Sequence, residues 1–504
     1  MHYKFIFICT LAVIICGCAG NADSSVKGGQ YYQNPVLGGD YPDPSIIRVG
    51  NDFYMTHSSF EYLPGLLVWH STDLIHWKRI SHALTTYVGS VWAPDIAKHG
   101  DMWYIYFPAA RKNWVVTALS PEGPWSVPVE IQASGIDPGH LTAIDGKRYL
   151  YFPGINIVPL SDDGLSVTGP PISTNYSGWE YPDAWNTECF CLEGPKATIR
   201  NGYYYLTSAQ GGTAGPSTAH MAVAARSRSP FGPFENSPFN PIVHTENRAE
   251  RWWNQGHGTL VDDVNGNWWI MYHAYEKGFH TLGRQTMLLP IVWTDDDWFR
   301  VPEGVNSGDL LPIPAGQPFT DISYLSDDFS SNNLGLQWQF FKRYEPERVN
   351  IGNGKLTLKA QGASFAESSP LLVNAGDRHY ETTVEYWIEG GVTAGLVLFY
   401  DEQANVRIAV DEKQFMVFNQ KSMKTRDPNS HGNHGFLRIH NDYNEVNFYH
   451  SADGKHWFKM GRSLEVTGFN HNVFYQFLSL RVGLYAFGEG NAVFSNFVYR
   501  KIDD

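Results

Sequence analysis

Asn265-Gly266-Asn267-Trp268-Trp269-Ile270-Met271-Tyr272 reads as a polar turn that runs straight into an aromatic, β-branched strand. Asn and Gly accept the left-handed backbone of a tight hairpin, and rings fit a pleated, half-buried surface. The same phrase occurs four times upstream. The copies are Gly50-Asn51-Asp52-Phe53-Tyr54-Met55, Gly100-Asp101-Met102-Trp103-Tyr104-Ile105-Tyr106, Asp145-Gly146-Lys147-Arg148-Tyr149-Leu150-Tyr151 and Asn201-Gly202-Tyr203-Tyr204-Tyr205-Leu206. A spacing of roughly 45–65 residues is that of one four-stranded propeller blade with its loops. A second phrase follows three of the copies: Ser71 to Trp77, Ser120 to Trp125 and Ser229 to Phe234 are Ser-led turns that end on an aromatic. Each such ring can plug between neighbouring sheets. Five copies predict an all-β, five-bladed β-propeller over residues 31–318, and the regular period argues against an array of sandwiches.

Past the Pro-rich stretch 310–318 the pattern restarts at Asp327-Asp328-Phe329. Stretches such as 354–359, 380–387, 392–400 and 406–410 alternate apolar and polar residues between polar turns. They predict a β-sandwich over residues 325–504. Phe448, Trp457, Phe474 and Tyr485 read as its core. The join is short and holds Pro, Ile and Leu, unlike a Gly/Ser tether. The sandwich is therefore expected to pack on the propeller and shape the entrance to its site.

At the N-terminus, His2 and Lys4 precede an apolar run over residues 5–16 that ends in Ile15-Cys16-Gly17-Cys18. This resembles a bacterial lipoprotein cleavage box. It implies a signal peptide over residues 1–17, a lipid on Cys18 as the link to the membrane, and a flexible tether over residues 18–30. The place implied is the bacterial cell envelope, periplasmic or on the outer-membrane surface. Cys189 and Cys191 would share one face of a strand, and a disulfide across one residue is strained, so they read as packed thiols. The chain has 37 Lys and Arg against 51 Asp and Glu, a net charge of -14, and no basic run. A nucleic-acid partner needs a basic face and is excluded on that ground. The 15% of aromatic residues suits stacking on neutral sugars, as well as a β-rich fold.

Three carboxylates stand in unusual settings. Asp43 lies in Tyr41-Pro42-Asp43-Pro44-Ser45, where two prolines fix the backbone. Asp137 precedes Pro138 in an uncharged stretch. Glu193 follows Cys189-Phe190-Cys191-Leu192, read as a strand with an apolar lead, and partial burial there would raise its pKa. All three lie at the starts or ends of different repeats, and a propeller brings such positions to its central channel. Two carboxyl groups of opposite protonation are what the hydrolysis of a glycosidic bond requires.

Together with Asn34-Pro35-Val36, Ser58-Ser59-Phe60-Glu61-Tyr62-Leu63-Pro64-Gly65, Trp92-Ala93-Pro94-Asp95, Glu193-Gly194-Pro195, Gly256-His257-Gly258-Thr259-Leu260 and Leu282-Gly283-Arg284, these motifs resemble glycoside hydrolase family 43. The sandwich resembles the concanavalin-like domain of that family's β-xylosidases. The resemblance implies an inverting, exo-acting enzyme that releases xylose from plant cell-wall oligosaccharides, with α-L-arabinofuranosidase as the alternative. It implies Asp43 as general base, Asp137 as pKa modulator and Glu193 as general acid. Arg284 would hold the terminal sugar, with Phe60 and Trp92 as contacts. It implies no required cofactor, and admits a structural calcium ion held through water beside His257 in the channel. Gly139-His140 after Asp137-Pro138 departs from the Ser-Leu/Phe of the β-xylosidases and leaves room for a different substrate. A non-catalytic carbohydrate-binding lipoprotein is the reading from another class, but it would have no need of three carboxylates.

Overall fold

The computed structural model describes residues 31–319 and 324–503. The predicted signal peptide, the tether and Cys18 lie outside the described residues. Each repeated hairpin phrase forms the turn between the first two strands of an antiparallel sheet. The turn glycines Gly50, Gly100, Gly146, Gly202 and Gly266 all take φ between 58° and 83°, a region that costs glycine nothing. The five sheets begin with strands Ser45–Val49, Asp95–His99, Gly139–Thr142, Glu193–Arg200 and Trp252–Asp262. Each sheet meanders outward through four strands, and the fourth sheet gains the small strand Val243–His244. The five first strands touch one another in a closed ring, with the fifth against the first. That ring is the wall of a central channel. The two ends of the propeller segment fasten it, since Tyr31–Gln33 pairs with Leu310–Pro312.

The Ser-led turns join the third strand to the fourth, and their rings do reach neighbouring sheets. The Trp125 indole N–H donates to Ser81 Oγ of the preceding sheet at 3.1 Å. Phe234 packs edge-on against Tyr151.

The second half is a sandwich of two antiparallel sheets, of eight and six strands. Strand His379–Glu389 shows why: Tyr380, Thr382, Val384, Tyr386 and Ile388 are buried on one face while the residues between them are not. Phe448 and Tyr485 are core, as the sequence suggests. Trp457 is not, because it lies half-buried under the Arg438 guanidinium at 3.9 Å.

Among the described residues, one apolar cluster spans the two halves, beside four others that lie within the propeller. Phe60 and Tyr62 of the propeller pack among the sandwich residues. Strand Phe340–Phe341 pairs antiparallel with Tyr62–Leu63 across the junction. Asp40 and Asn374 bond each other in both directions, at 3.2 and 3.0 Å. Separating the halves would expose these rings to water, so the sandwich is seated on the propeller through a buried apolar joint.

Candidate active site

The inner strands bring the three carboxylates to one end of the channel. Asp43 sits two residues before the first inner strand, and Asp137 sits two residues before the third. Glu193 is the first residue of the fourth, not the end of a strand as its apolar lead suggests. The cause is the disulfide between Cys189 and Cys191, which the sequence reading took for thiols. Cys191 has φ 39°, so the chain turns where a strand would extend. The Cα atoms come to 5.4 Å, a normal bridging distance and shorter than the ~6.6 Å of two extended residues. Cys191 is also exposed, not packed.

Three register shifts aim the functional side chains. The register of the fourth sheet shifts between Glu193 and Lys196, and that of the fifth shifts on both sides of Gly256. Such shifts turn a side chain out of the ladder. Glycines then allow close approach. A Cβ on Gly194 would lie 2.5 Å from His257 Nε2, and one on Gly139 would lie 1.7 Å from the Pro195 carbonyl oxygen. The second contact clamps the Asp137 loop on the Glu193 strand. It also gives Gly139 a steric reason, whatever the substrate. His140 stacks on Tyr106 with ring centroids 5.4 Å apart and lines the cavity at Arg48 and Lys98, not the carboxylate cavity.

Asp43, Asp137 and Glu193 line a cavity of about 110 Å³ with Phe60, Trp92, His257, Arg284, Thr213 and Phe477. Every predicted site residue is therefore on it. Phe60 is buried and Trp92 is exposed at the mouth. Asp95 instead accepts bonds from Ser45 at 2.7 Å and Lys196 at 2.9 Å, a structural role. Trp252 is core. Phe477, Thr213, Ser58 and His273 are additions. Only Ser58 carried a signal, as part of the Ser58-Ser59-Phe60 motif.

The two walls of the cavity differ. Asp43 is gripped from all sides. Arg284 donates to Oδ1 at 3.0 Å and to Oδ2 at 3.4 Å, and the Ser58 hydroxyl donates to Oδ2 at 2.5 Å. His257 Nδ1 lies 3.4 Å from Oδ1. The Asp43 N–H donates to His273 Nδ1 at 3.1 Å, which leaves the His273 Nε2–H facing Thr213 Oγ1 at 3.1 Å. Burial alone would raise the Asp43 pKa, but the Arg284 guanidinium, with His257 beside it, outweighs it and holds the carboxyl well below its usual range. On the facing wall, no hydrogen-bond donor among the described residues is seated on the Glu193 carboxyl. Burial, with the negative charge of Asp43, pushes its pKa up to about 7. Asp137 is raised as well, by burial and then by Glu193 and Asp43. This pair retains a proton at neutral pH.

Ligating atoms of Asp137, Glu193 and His257 lie within 4.8 Å of one another. His257 Nε2 is buried without a hydrogen-bond partner, so a polar guest has a place there. Calcium, however, takes six to eight oxygen ligands, and this set offers one nitrogen and two carboxyls that keep a proton. The Lys196 ammonium already holds the channel nearby, donating to Pro94 O at 2.7 Å and Asp95 at 2.9 Å. These side chains alone supply too few oxygens for calcium, so an ion held through water beside His257 would draw most of its shell from solvent.

A family model described as "Glycosyl hydrolases family 43" matches residues 32–299. The chain belongs to glycosyl hydrolase family 43. A second model, "Beta xylosidase C-terminal Concanavalin A-like domain", matches residues 326–500. This family 43 hydrolase is 30% identical over 454 residues to a non-reducing end alpha-L-arabinofuranosidase of Bacteroides ovatus, across 83% of each chain. It is 27% identical over 503 residues to a beta-xylosidase of Bacillus subtilis, across 86% of this chain and 91% of the relative. Among solved structures, a family 43 protein of Bacillus licheniformis superposes with a TM-score of 0.86 at 28% identity, covering 94% of this chain and all of that one. A xylan beta-1,4-xylosidase of Bacillus halodurans gives 0.82 at 28% identity, covering 93% of this chain and 100% of its own. The reaction of the family needs no cofactor.

Proposed function

We propose that this glycoside hydrolase removes single xylose units from the non-reducing ends of xylan-derived oligosaccharides, with inversion. The observation that carries the proposal is the pair of opposed walls: a carboxylate held ionised at Asp43 facing a carboxyl held protonated at Glu193. Glu193 is the general acid and gives its proton to the leaving glycosidic oxygen. Asp43 is the general base and draws a proton from a water that attacks the anomeric carbon from the opposite side. Asp137, beside Glu193, shares the proton of this pair and helps to orient the acid. Arg284 keeps Asp43 ionised and presents its guanidinium to the sugar hydroxyls. Phe60 and Trp92 cover the apolar faces of the ring. Sites that bury larger ligands measure ~300–1,000 Å³. A cavity of about 110 Å³ suits one pentose ring, which supports exo action.

The Bacteroides ovatus relative favours a second substrate, a terminal α-L-arabinofuranose. Rates on the nitrophenyl β-D-xyloside and α-L-arabinofuranoside separate the two, and the proposal expects the xyloside to have the higher kcat/KM. NMR of the first-formed sugar should show the inverted anomer. A retained anomer would make Asp43 a nucleophile and end this assignment. We also propose a lipid anchor on Cys18 and a place in the cell envelope. Cys18→Ala should then move the protein out of the membrane fraction, and an unchanged distribution would contradict it.

A further inference from the structure

The segment that delivers Glu193 has no regular structure of its own. Between strands Ile172–Ser173 and Glu193–Arg200 the chain runs through residues 174–192 without helix or strand. Connections longer than ~12–15 residues are uncommon unless functional or disordered, and an unfastened loop would leave its last side chain poorly placed. Glu193 is especially exposed to this problem. Asp43 is held by side-chain donors, whereas no donor among the described residues holds the Glu193 carboxyl. Its position depends on its backbone.

That backbone pairs with Ala209 at Glu193 itself, and the turn just before it is closed by the Cys189–Cys191 bridge. Only Leu192 separates the bridge from Glu193, and Leu192 is buried beside Tyr176 and Leu141. Within the bridged turn, the Thr187 carbonyl accepts from Cys189 N at 2.7 Å and from Gly212 N at 2.9 Å, and the Phe190 carbonyl accepts from Gly211 N at 2.9 Å. The turn is thus strapped to the residues just before Thr213, which faces Arg284 and His273. Glu188 and Cys191 hold φ of 66° and 39°. Non-glycine residues persist there only when their surroundings over-determine them.

We propose that the Cys189–Cys191 disulfide is a positioning device for Glu193, fixing the turn that leads into its strand so that the acid's carboxyl stays at the leaving-group oxygen. This rests on the reading of Glu193 as general acid. Cys191 is exposed, so the bridge is open to a dithiol reductant. One reductant thiolate attacks a bridge sulfur and forms a mixed disulfide. The second reductant thiol then displaces it. The S–S bond breaks, both cysteines end as thiols carrying the two protons of the reductant, and the reductant leaves as a cyclic disulfide. The released turn relaxes toward extended backbone, and water reaches Glu193.

The test compares native enzyme, enzyme treated with dithiothreitol and the Cys189→Ser/Cys191→Ser variant, with alkylation and mass spectrometry to fix the state of the bridge. On xylobiose, whose leaving group needs a proton, opening the bridge should lower kcat about 10–100-fold, the scale of a small misplacement at a reacting centre. On 2,4-dinitrophenyl xyloside, whose leaving group needs little protonation, the loss should be under about twofold with KM little changed. The alkaline limb of the pH–rate profile should move down, since a hydrated Glu193 returns toward the ordinary carboxylate range. Reoxidation of the reduced native enzyme should restore all three, which separates the effect from unfolding. Equal losses on both substrates, no loss on either, or an unmoved alkaline limb would overturn the proposal. Glu193→Gln with the bridge intact tests the underlying assignment by itself. If that variant shows the leaving-group dependence and the reduced enzyme does not, only the role of the bridge fails. If that variant lacks it, the acid assignment fails.

Discussion

The Asp43 wall and the Glu193 wall of the cavity use the same functional group to opposite ends. Asp43 is buried and Glu193 is half-buried at the cavity wall, and the larger difference lies in what surrounds them. Asp43 meets a guanidinium, a hydroxyl and two imidazoles. Glu193 meets other carboxyls and apolar walls. Burial raises both pKa values. Only the charge-assisted bonds to Asp43 reverse its direction. The lesson is that protonation at this site is set by partners, and that one arginine and one unpartnered carboxyl suffice to assign the roles.

The largest break in the comparison should come from Asp43→Ala. Turnover should fall by about 10²–10⁴-fold on xylobiose and equally on the dinitrophenyl xyloside, because water still needs a base. Circular dichroism should confirm the fold. Glu193→Ala should match that loss on xylobiose but recover most of its rate on the dinitrophenyl substrate. If both variants lose equally on both substrates, the walls do not have separate roles.

Arg284→Met sharpens the comparison by making the Asp43 wall resemble the other. Without the guanidinium, burial dominates and the Asp43 pKa rises. The active form has Asp43 ionised and Glu193 protonated, so the native rate falls above about 7 and, on the acid side, only well below the usual carboxylate range. In the variant the acid limb climbs. Activity should therefore drop more at pH 4–5 than at pH 7, and a parallel loss at every pH would contradict this.

The smallest effect should come from Phe477→Ala. This ring stands 6.4 Å from Phe60 and 6.3 Å from Trp92, with the Arg284 guanidinium 5.1 Å from its centre. Its loss should lower kcat/KM by about tenfold, mainly through KM, as expected when binding is weakened without loss of the acid or base. A drop in kcat alone would assign the ring another role.

The hairpins of the propeller were legible because their signals are local: a turn glycine and the rings of the next strand lie within eight residues. Asp43 and Asp137 stood out through their proline neighbours, and the alternation of residues 380–387 announced the sandwich. Phe477 could not be read. It reaches the cavity from a loop of the sandwich, more than 400 residues from Phe60, and no local pattern encodes that contact. The bridge was missed for a related reason. Strand geometry was assumed for residues 189–192, while Cys191 adopts a left-handed backbone that an ordinary cysteine gives no hint of. His273, in a strand that otherwise reads as core, was equally silent.

Carbon-13 NMR titration of the carboxyl groups, with Asp43→Asn and Glu193→Gln spectra to assign the signals, tests the opposed walls most directly. The account predicts a Glu193 signal that titrates near 7, jointly with Asp137, and an Asp43 signal still ionised well below pH 3.8. If Glu193 titrated near its ordinary value of 4.5 and Asp43 took up its proton first on acidification, the assignment of acid and base would be contradicted.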